Sequence, residues 1–336
     1  FGKEIARITS PAKVPGNGAG SVSQKFRVPR PSLWSPGFPA LYSLETEIVA
    51  SGKAVDSYRT PFGIRSIAYD KDRGFLLNGE PLKMKGVCLH HDGGSVGAAV
   101  PEGVWERRLR TLKEMGCNAI RCSHNPPAPE FLDLCDRMGF LVIDEAFDKW
   151  GVSKGWKDFN RHFEKGWEAD LAAMVRRDRN HPCIVMWSAG NENGVVWTQP
   201  FFDTYRKLSE FVKREDPTRP VTAALRPIDP PKDNKTMDGM ISSLLPMLQV
   251  LDVPNLNYQE HLYEAIRAVL PDRPILGSET YSYYRGEGLT HKSKNDNSPW
   301  FDVEKSDFVI GQFLWTGIDY LGESTGWPAK GRGNSP

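Results

Sequence analysis

The sequence has no excess of charge of either sign: among 336 residues, 43 Lys and Arg stand against 42 Asp and Glu. That balance excludes the basic surface that nucleic acid or an anionic membrane demands, and it leaves a neutral or weakly charged small molecule as the expected partner. No run approaches the roughly eighteen apolar residues a membrane-spanning helix requires, so the chain reads as soluble. Cysteine is sparse. Cys88, Cys117, Cys122, Cys135 and Cys183 lie in apolar or strand-like stretches without metal-ligand spacing, and an odd count suits buried free thiols. Residue 1 is Phe, and no charged-then-apolar leader follows it. The natural start is therefore expected elsewhere, with cytoplasmic, periplasmic and secreted locations open and homo-oligomerisation equally open. Aromatic residues are plentiful, with ten Trp, ten Tyr and sixteen Phe. They suit sugar stacking, although core packing is the first reading for most.

From Phe26 to about Pro81 the pattern is β-like. Tyr42, Leu44, Thr46, Ile48 and Ala50 alternate with Ser43, Glu45, Glu47 and Val49, a period near two that predicts a strand with one buried face. Asn78-Gly79 suits the positive φ angles of a tight hairpin, with Leu82 and Met84 on the return strand. The segment reads as the end of a β-sandwich. Beyond Leu82, short apolar runs alternate with amphipathic helices, such as Trp105, Leu109, Leu112 and Met115 or Phe131, Leu134, Cys135 and Met138, with Gly116 and Gly139 just past their ends. Eight runs are present, near Met84–Leu89, Asn118–Cys122, Phe140–Asp144, Cys183–Ala189, Pro220–Ala224, Asn255–Tyr258, Pro274–Ser278 and Val309–Trp315. Eight such βα units predict an α/β fold, the (β/α)8 TIM barrel. Residues 322–336, rich in Gly, Pro and Ser, lack helical periodicity, so the barrel reads as truncated after its eighth strand. The expected domains are 1–80, a partial sandwich with its connection, and 81–336, the barrel.

Active sites of this fold gather where strands end. The polar residues at those points are His90, Arg121 with His124, Asp144 with Glu145, Asn191 with Glu192, Asn257 with Tyr258, and Glu279, with Trp315 on the eighth strand. Glu192 closes the run Ile184–Gly190 extended by Asn191, and Glu279 closes Ile275–Ser278. Glycoside hydrolysis needs two carboxyl groups, one to protonate the leaving oxygen and one to attack or to activate water. A structural ion pair or an exposed cap explains two strand-end glutamates equally well when they are taken alone.

Other motifs weight the choice. Trp187-Ser188-Ala189-Gly190-Asn191-Glu192-Asn193 resembles the acid/base signature of glycoside hydrolase family 2, which includes β-galactosidases, β-glucuronidases and β-mannosidases. Gly86–His90, Asn118–His124, Leu134–Gly139, Val142–Glu145 and Arg177–Pro182 resemble that family in the same order, and Leu33–Pro36, Leu41-Tyr42 and Phe62–Arg65 resemble the end of the immunoglobulin-like domain preceding its barrel. The resemblance implies a retaining β-glycosidase, a carbohydrate substrate and no cofactor, with Glu192 as general acid/base and Glu279 as nucleophile. Retention by double displacement through a covalent glycosyl-enzyme calls for carboxyl groups about 5 to 5.5 Å apart. Asn191 matches the residue that binds the sugar 2-hydroxyl, with a turn-forming Asn as the bland alternative. His90 and His124 match hydroxyl-binding residues, whereas His91 and His181 read as structural. Tyr258 matches a tyrosine bonded to the nucleophile, and Arg121 is placed to orient that carboxylate; packing is the alternative for both. Trp315 is placed to stack on a sugar face or to fill the core. Asp144 and Glu145 read as a supporting hydrogen-bond network or as a solvated strand end.

The chain departs from the family at three points. The Glu-x-His magnesium pair of the best-known β-galactosidases is replaced by Lys149 and Gly151, and a His three residues after the nucleophile by Ser282. Galactose recognition would then fall to groups such as Tyr281, Tyr283 or Tyr284. In place of the Asn-x-Lys pair with which β-glucuronidases hold the sugar carboxylate stands Gly333-Asn334-Ser335-Pro336. A β-galactosidase is the first reading, with β-glucuronidase or β-mannosidase as the alternative. Two rivals come from other classes. A metal-dependent barrel hydrolase would use His90, His124, Glu145 and Glu192 as ligands, although adjacent His90 and His91 point to opposite sides of a strand. A non-catalytic sugar-binding barrel would keep the pocket without turnover.

Overall fold

A computed structural model describes residues 2–150, 159–193, 199–226, 236–281 and 299–318. Strands β1 (Tyr42–Ala50) and β2 (Lys53–Phe62) form an antiparallel ribbon. Its tight turn places Ser51 and Gly52 at φ 51° and 76°. The expected buried face is absent from this ribbon: eight of the nine β1 residues are exposed, with Ile48 and Val49 at 57% and 60%. Alternation records which residues share a face, but among the described residues no second sheet lies over either face of a ribbon whose strands pair only with each other.

Strands β3 (Ile67–Asp70), β4 (Gly74–Leu77) and β5 (Glu80–Pro81) make a second antiparallel sheet. The hairpin expected at Asn78-Gly79 is there, with φ of 55° and 87°. Its return strand ends at Pro81, so Met84 opens the next element instead. This region is fastened to the barrel by groups reaching its backbone. Trp34 is fully buried and its indole N–H donates to the Asp136 carbonyl at 2.9 Å, while Tyr69 donates to the Val185 carbonyl at 2.7 Å.

All eight apolar runs are strands of one parallel sheet: β6 (Met84–Leu89), β7 (Ala119–Cys122), β8 (Leu141–Glu145), β9 (Ile184–Asn191), β10 (Val221–Ala224), β11 (Asn255–Asn257), β12 (Ile275–Tyr281) and β13 (Val309–Trp315). Their order around the sheet is β10-β9-β8-β7-β6-β13-β12-β11. The ends meet through Leu225, whose N–H donates to Asn255 and whose carbonyl accepts from Asn257 at 2.7 Å. The fold is thus a TIM barrel behind antiparallel sheets. Helices α1 (Glu102–Glu114), α2 (Pro129–Met138), α3 (Asn160–Asp178), α4 (Gln199–Glu215), α5 (Met237–Val250), α6 (Tyr263–Val269) and α7 (Trp300–Glu304) follow the first seven barrel strands in turn. Every residue of β7, β8 and β9 is buried, as expected of strands covered by helices on one side and barrel interior on the other. Gly139 ends α2 in the left-handed region at φ 74°, where a Cβ would stand 2.5 Å from the Pro36 carbonyl oxygen. Among the described residues, no helix is long and apolar enough to cross a membrane. The tail at 322–336 lies outside the described residues.

Candidate active site

The barrel rim is organised around a buried cation. Arg121 on β7 has no exposed surface, and an unpaired guanidinium there would be very costly. It is paired twice. Nε and Nη2 donate to the Glu145 carboxylate at 2.8 to 3.1 Å, and Nη1 donates to Glu279 Oε1 at 2.8 Å. Nη2 also donates to Asn191 Oδ1 at 2.9 Å. Burial alone would raise the Glu145 carboxyl, but Arg121, His124 and the Ser188 hydroxyl outweigh it and hold the group down at about 2. His124 Nδ1 lies 2.6 Å from Glu145 Oε1, and Ser188 donates to Oε2 at 2.7 Å.

Glu279 on β12 lies 3% exposed at the barrel mouth. Tyr258 is tied to it through the backbone, its N–H donating to the Glu279 carbonyl at 2.7 Å, and burial first and the neighbouring Glu279 second push the Tyr258 hydroxyl well up. Glu192, one residue beyond β9, is more open, its side chain 21% exposed. Its Oε1 accepts from Asn257 Nδ2 at 3.1 Å, and Arg226 approaches Oε2 at 3.6 Å. Ser278 donates to Asn257 Oδ1, which turns the Asn257 amide nitrogen toward both Glu192 and Asn191 Oδ1. A continuous chain of contacts therefore runs from Glu192 through Asn257, Asn191 and Arg121 to Glu279. Both glutamates occupy the same rim.

Aromatic rings flank this chain on both sides. Trp315 stacks on His124 with centroids 5.2 Å apart and planes 11° from parallel, and meets His90 edge-on at 5.1 Å. Burial first and His124 second push the His90 imidazole down to about 4, leaving it neutral with one donor and one acceptor nitrogen. On the other flank Tyr258 stacks on Tyr281 at 4.5 Å, and the Arg226 guanidinium sits 5.1 Å from the Tyr258 ring centre.

Nine of the ten residues to which the sequence assigned a role come together here: His90, Arg121, His124, Glu145, Asn191, Glu192, Tyr258, Glu279 and Trp315. Asp144 does not. It precedes Glu145 on β8, so the pleat points it to the opposite face, against Asp178 and Cys122. Glu145 is no solvated strand end either, being fully buried. His181 pairs with Asp136 at 2.6 Å near the barrel's other end. As metal ligands, His90, His124, Glu145 and Glu192 lack a free Glu145, because both its oxygens are engaged with Arg121. Ser282, Tyr283, Tyr284, Gly151 and 333–336 lie outside the described residues.

Sequence reasoning assigned no role to Asn257, Ser188, Ser278, Arg226 or Asp148-Lys149-Trp150. Asn257 carried a signal, as a polar residue ending a strand. Ser188 faces Glu145 across the β8–β9 register, which only the pairing reveals.

The sequence pattern of "Glycosyl hydrolases family 2, TIM barrel domain" matches residues 70–321, and that of "Glycosyl hydrolases family 2" matches residues 2–65. The chain belongs to glycoside hydrolase family 2. It is 38% identical over 395 aligned positions to the β-galactosidase BoGH2A of Bacteroides ovatus, spanning 98% of this chain and 45% of that protein. It is 33% identical to a putative β-glucuronidase of Formosa agariphila, over 90% of this chain and 31% of the relative. The crystal structure of a family 2 member from Bacteroides cellulosilyticus superposes with a TM-score of 0.76 at 41% identity, over 87% of this chain and 35% of that one. The chain thus spans less than half the length of these family 2 relatives.

Proposed function

We propose that the protein carrying this chain hydrolyses terminal β-glycosides with retention of configuration, and that its preferred glycone is β-galactose. The observation that carries the reading is the chain of contacts binding Glu192 and Glu279 to one rim through Arg121, Asn191 and Asn257. Glu279, gripped by Arg121 at 2.8 Å, is the carboxylate that attacks the anomeric carbon. Glu192 is the proton carrier, held by one amide and partly open toward the leaving group. In the first step the bond from anomeric carbon to leaving oxygen breaks, the Glu192 proton passes to that oxygen, and a Glu279 oxygen bonds the carbon. In the second, Glu192 takes a proton from water as the water oxygen displaces Glu279. Two displacements at one carbon return the original configuration.

Asn191, His90 and His124 supply hydrogen-bonding groups for sugar hydroxyls, and Trp315 an apolar face. The relative named a β-galactosidase is more similar than the one named a putative β-glucuronidase, which favours galactose. The domain division at about residue 80 belongs to the same reading: β4 and β5 complete the last antiparallel sheet just before β6 opens the barrel.

The test is hydrolysis of nitrophenyl β-galactoside, β-glucuronide and β-mannoside by the protein and its Glu192→Gln and Glu279→Gln variants. The galactoside should turn over fastest; Glu279→Gln should lose roughly a thousandfold in kcat/KM, and Glu192→Gln should lose clearly but less, because a nitrophenoxide leaves with little help from an acid. Wild-type rates in both variants would remove the catalytic assignment, and a faster glucuronide would remove only the glycone.

A further inference from the structure

The mechanism leaves unused a three-residue segment just beyond β8 that is laced to the backbone around Glu192. The Asp148 carbonyl accepts from the Asn191 N–H at 3.0 Å. Trp150 donates its indole N–H to the Ala189 carbonyl at 2.8 Å, and its backbone N–H to Asn193 Oδ1. Gly190 leaves room for this, since a Cβ there would stand 2.1 Å from Trp150 Nε1. Between these two lies Lys149. Its ammonium donates to the carbonyls of Asn191 and Glu192 at 3.0 and 3.1 Å and lies 3.4 Å from Asp148 Oδ1.

We propose that Lys149 is a positioning residue that clamps the Asn191-Glu192 peptide and thereby aims the Glu192 carboxyl at the leaving oxygen; this rests on the assignment of Glu192 as acid/base.

The need for a clamp comes from the backbone. Glu192 has φ +44°, a left-handed conformation that a side chain other than glycine's adopts at a cost and keeps only where the surroundings fix it. On one side the Glu192 N–H donates to the Ala224 carbonyl at 2.9 Å. On the other, Lys149 holds the carbonyl. The side chain can swing only about bonds whose origin these two contacts set. Lys149 suits the task because an ammonium is a compact donor with several N–H groups, and two carbonyls and one carboxylate oxygen surround it. A neutral side chain of the same length offers none of these. Misplacing a reacting group by about an ångström can cost roughly a hundredfold in rate.

Leaving-group dependence separates positioning from general damage. A phenoxide leaving group needs the Glu192 proton far more than a dinitrophenoxide does, and kcat/KM reports the step in which that proton moves. Lys149→Met in the full protein should therefore lose more kcat/KM on phenyl β-galactoside than on 2,4-dinitrophenyl β-galactoside, by a further factor of roughly ten or more. Lys149→Arg, whose guanidinium also offers several donors, should recover most of that difference. Equal losses on both substrates, or a Lys149→Arg variant as selective as Lys149→Met, would overturn the clamp. Should Lys149→Met fail to fold, Lys149→Gln read by the same ratio decides. A wild-type protein inactive on both aryl glycosides would instead overturn the functional reading beneath it.

Discussion

The two faces of strand β8 shift adjacent acids in opposite directions. Asp144 and Glu145 are both fully buried, so solvent does not distinguish them. Glu145 points into the barrel, where a guanidinium, an imidazole and a hydroxyl hold its carboxyl down at about 2. Asp144 points to the helices. There burial first, and the Asp178 carboxylate second, push its carboxyl well above the usual range. Arg177 cannot correct this, because it grips Asp178 at both oxygens, at 2.5 and 2.7 Å. The difference shows that burial does not set a carboxyl's charge; the donors within reach set it. The inner face pulls its acid down as part of the contact network around Glu279, and the outer face pushes its acid up as part of the packing.

The strongest way to break the comparison is to remove the cation of the inner face. Arg121→Met leaves Glu145 and Glu279 as buried charges without their shared guanidinium, and breaking such a pair costs about 3 to 5 kcal/mol. Urea denaturation should show a loss of that size. Arg121→Lys should fall between, since an ammonium cannot reproduce the planar fork that spans both carboxylates. A loss under about 1 kcal/mol would mean that the network is not what holds the rim together.

A second experiment asks whether Glu145 is held as an anion. Depression from 4.5 to about 2 corresponds, at about 1.4 kcal/mol per unit, to about 3 kcal/mol. Because the folded value lies below the unfolded one, that stability is present above about pH 4.5 and is lost as the pH falls through about 2. Melting temperatures should decline over this window in the wild type and decline less in Glu145→Gln. Parallel declines would place the acid sensitivity elsewhere.

Much of this architecture was legible in the sequence because barrel strands are buried on both faces and so read as unbroken apolar runs. The polar residue that ends such a run is conspicuous, which is why Glu192 and Glu279 stood out. Asp144 and Glu145 were not separable: two adjacent acids at a strand end share one signal, and only the pairing of Arg121 with Ile143 across β7–β8 decides which of them faces inward. Lys149 was noticed only as a departure from a magnesium-binding pair, and its role was hidden for another reason. Its partners are backbone carbonyls, which leave no trace in residue identity. The ribbon misled because its period of two is genuine; periodicity describes the strand, whereas burial depends on a second layer.

The smallest effect expected, and the one that sharpens the comparison most, has the opposite sign. Asp144 has a folded value raised above the usual 3.8. The fold favours its protonated form, so its contribution is fully present below the unfolded value and is lost as pH rises through the folded one. Asp144→Asn supplies a neutral group of the same shape at every pH. It should melt with the wild type in acid and about 2 °C above it near pH 8, a gain of about 1 kcal/mol or less. The substitution lies one residue from Glu145, yet should leave hydrolysis unaltered because its side chain faces the helices. A fall in stability at all pH values would show instead that the outer face needs Asp144 as a second anion for Arg177, and the two sides of β8 would then differ only in degree.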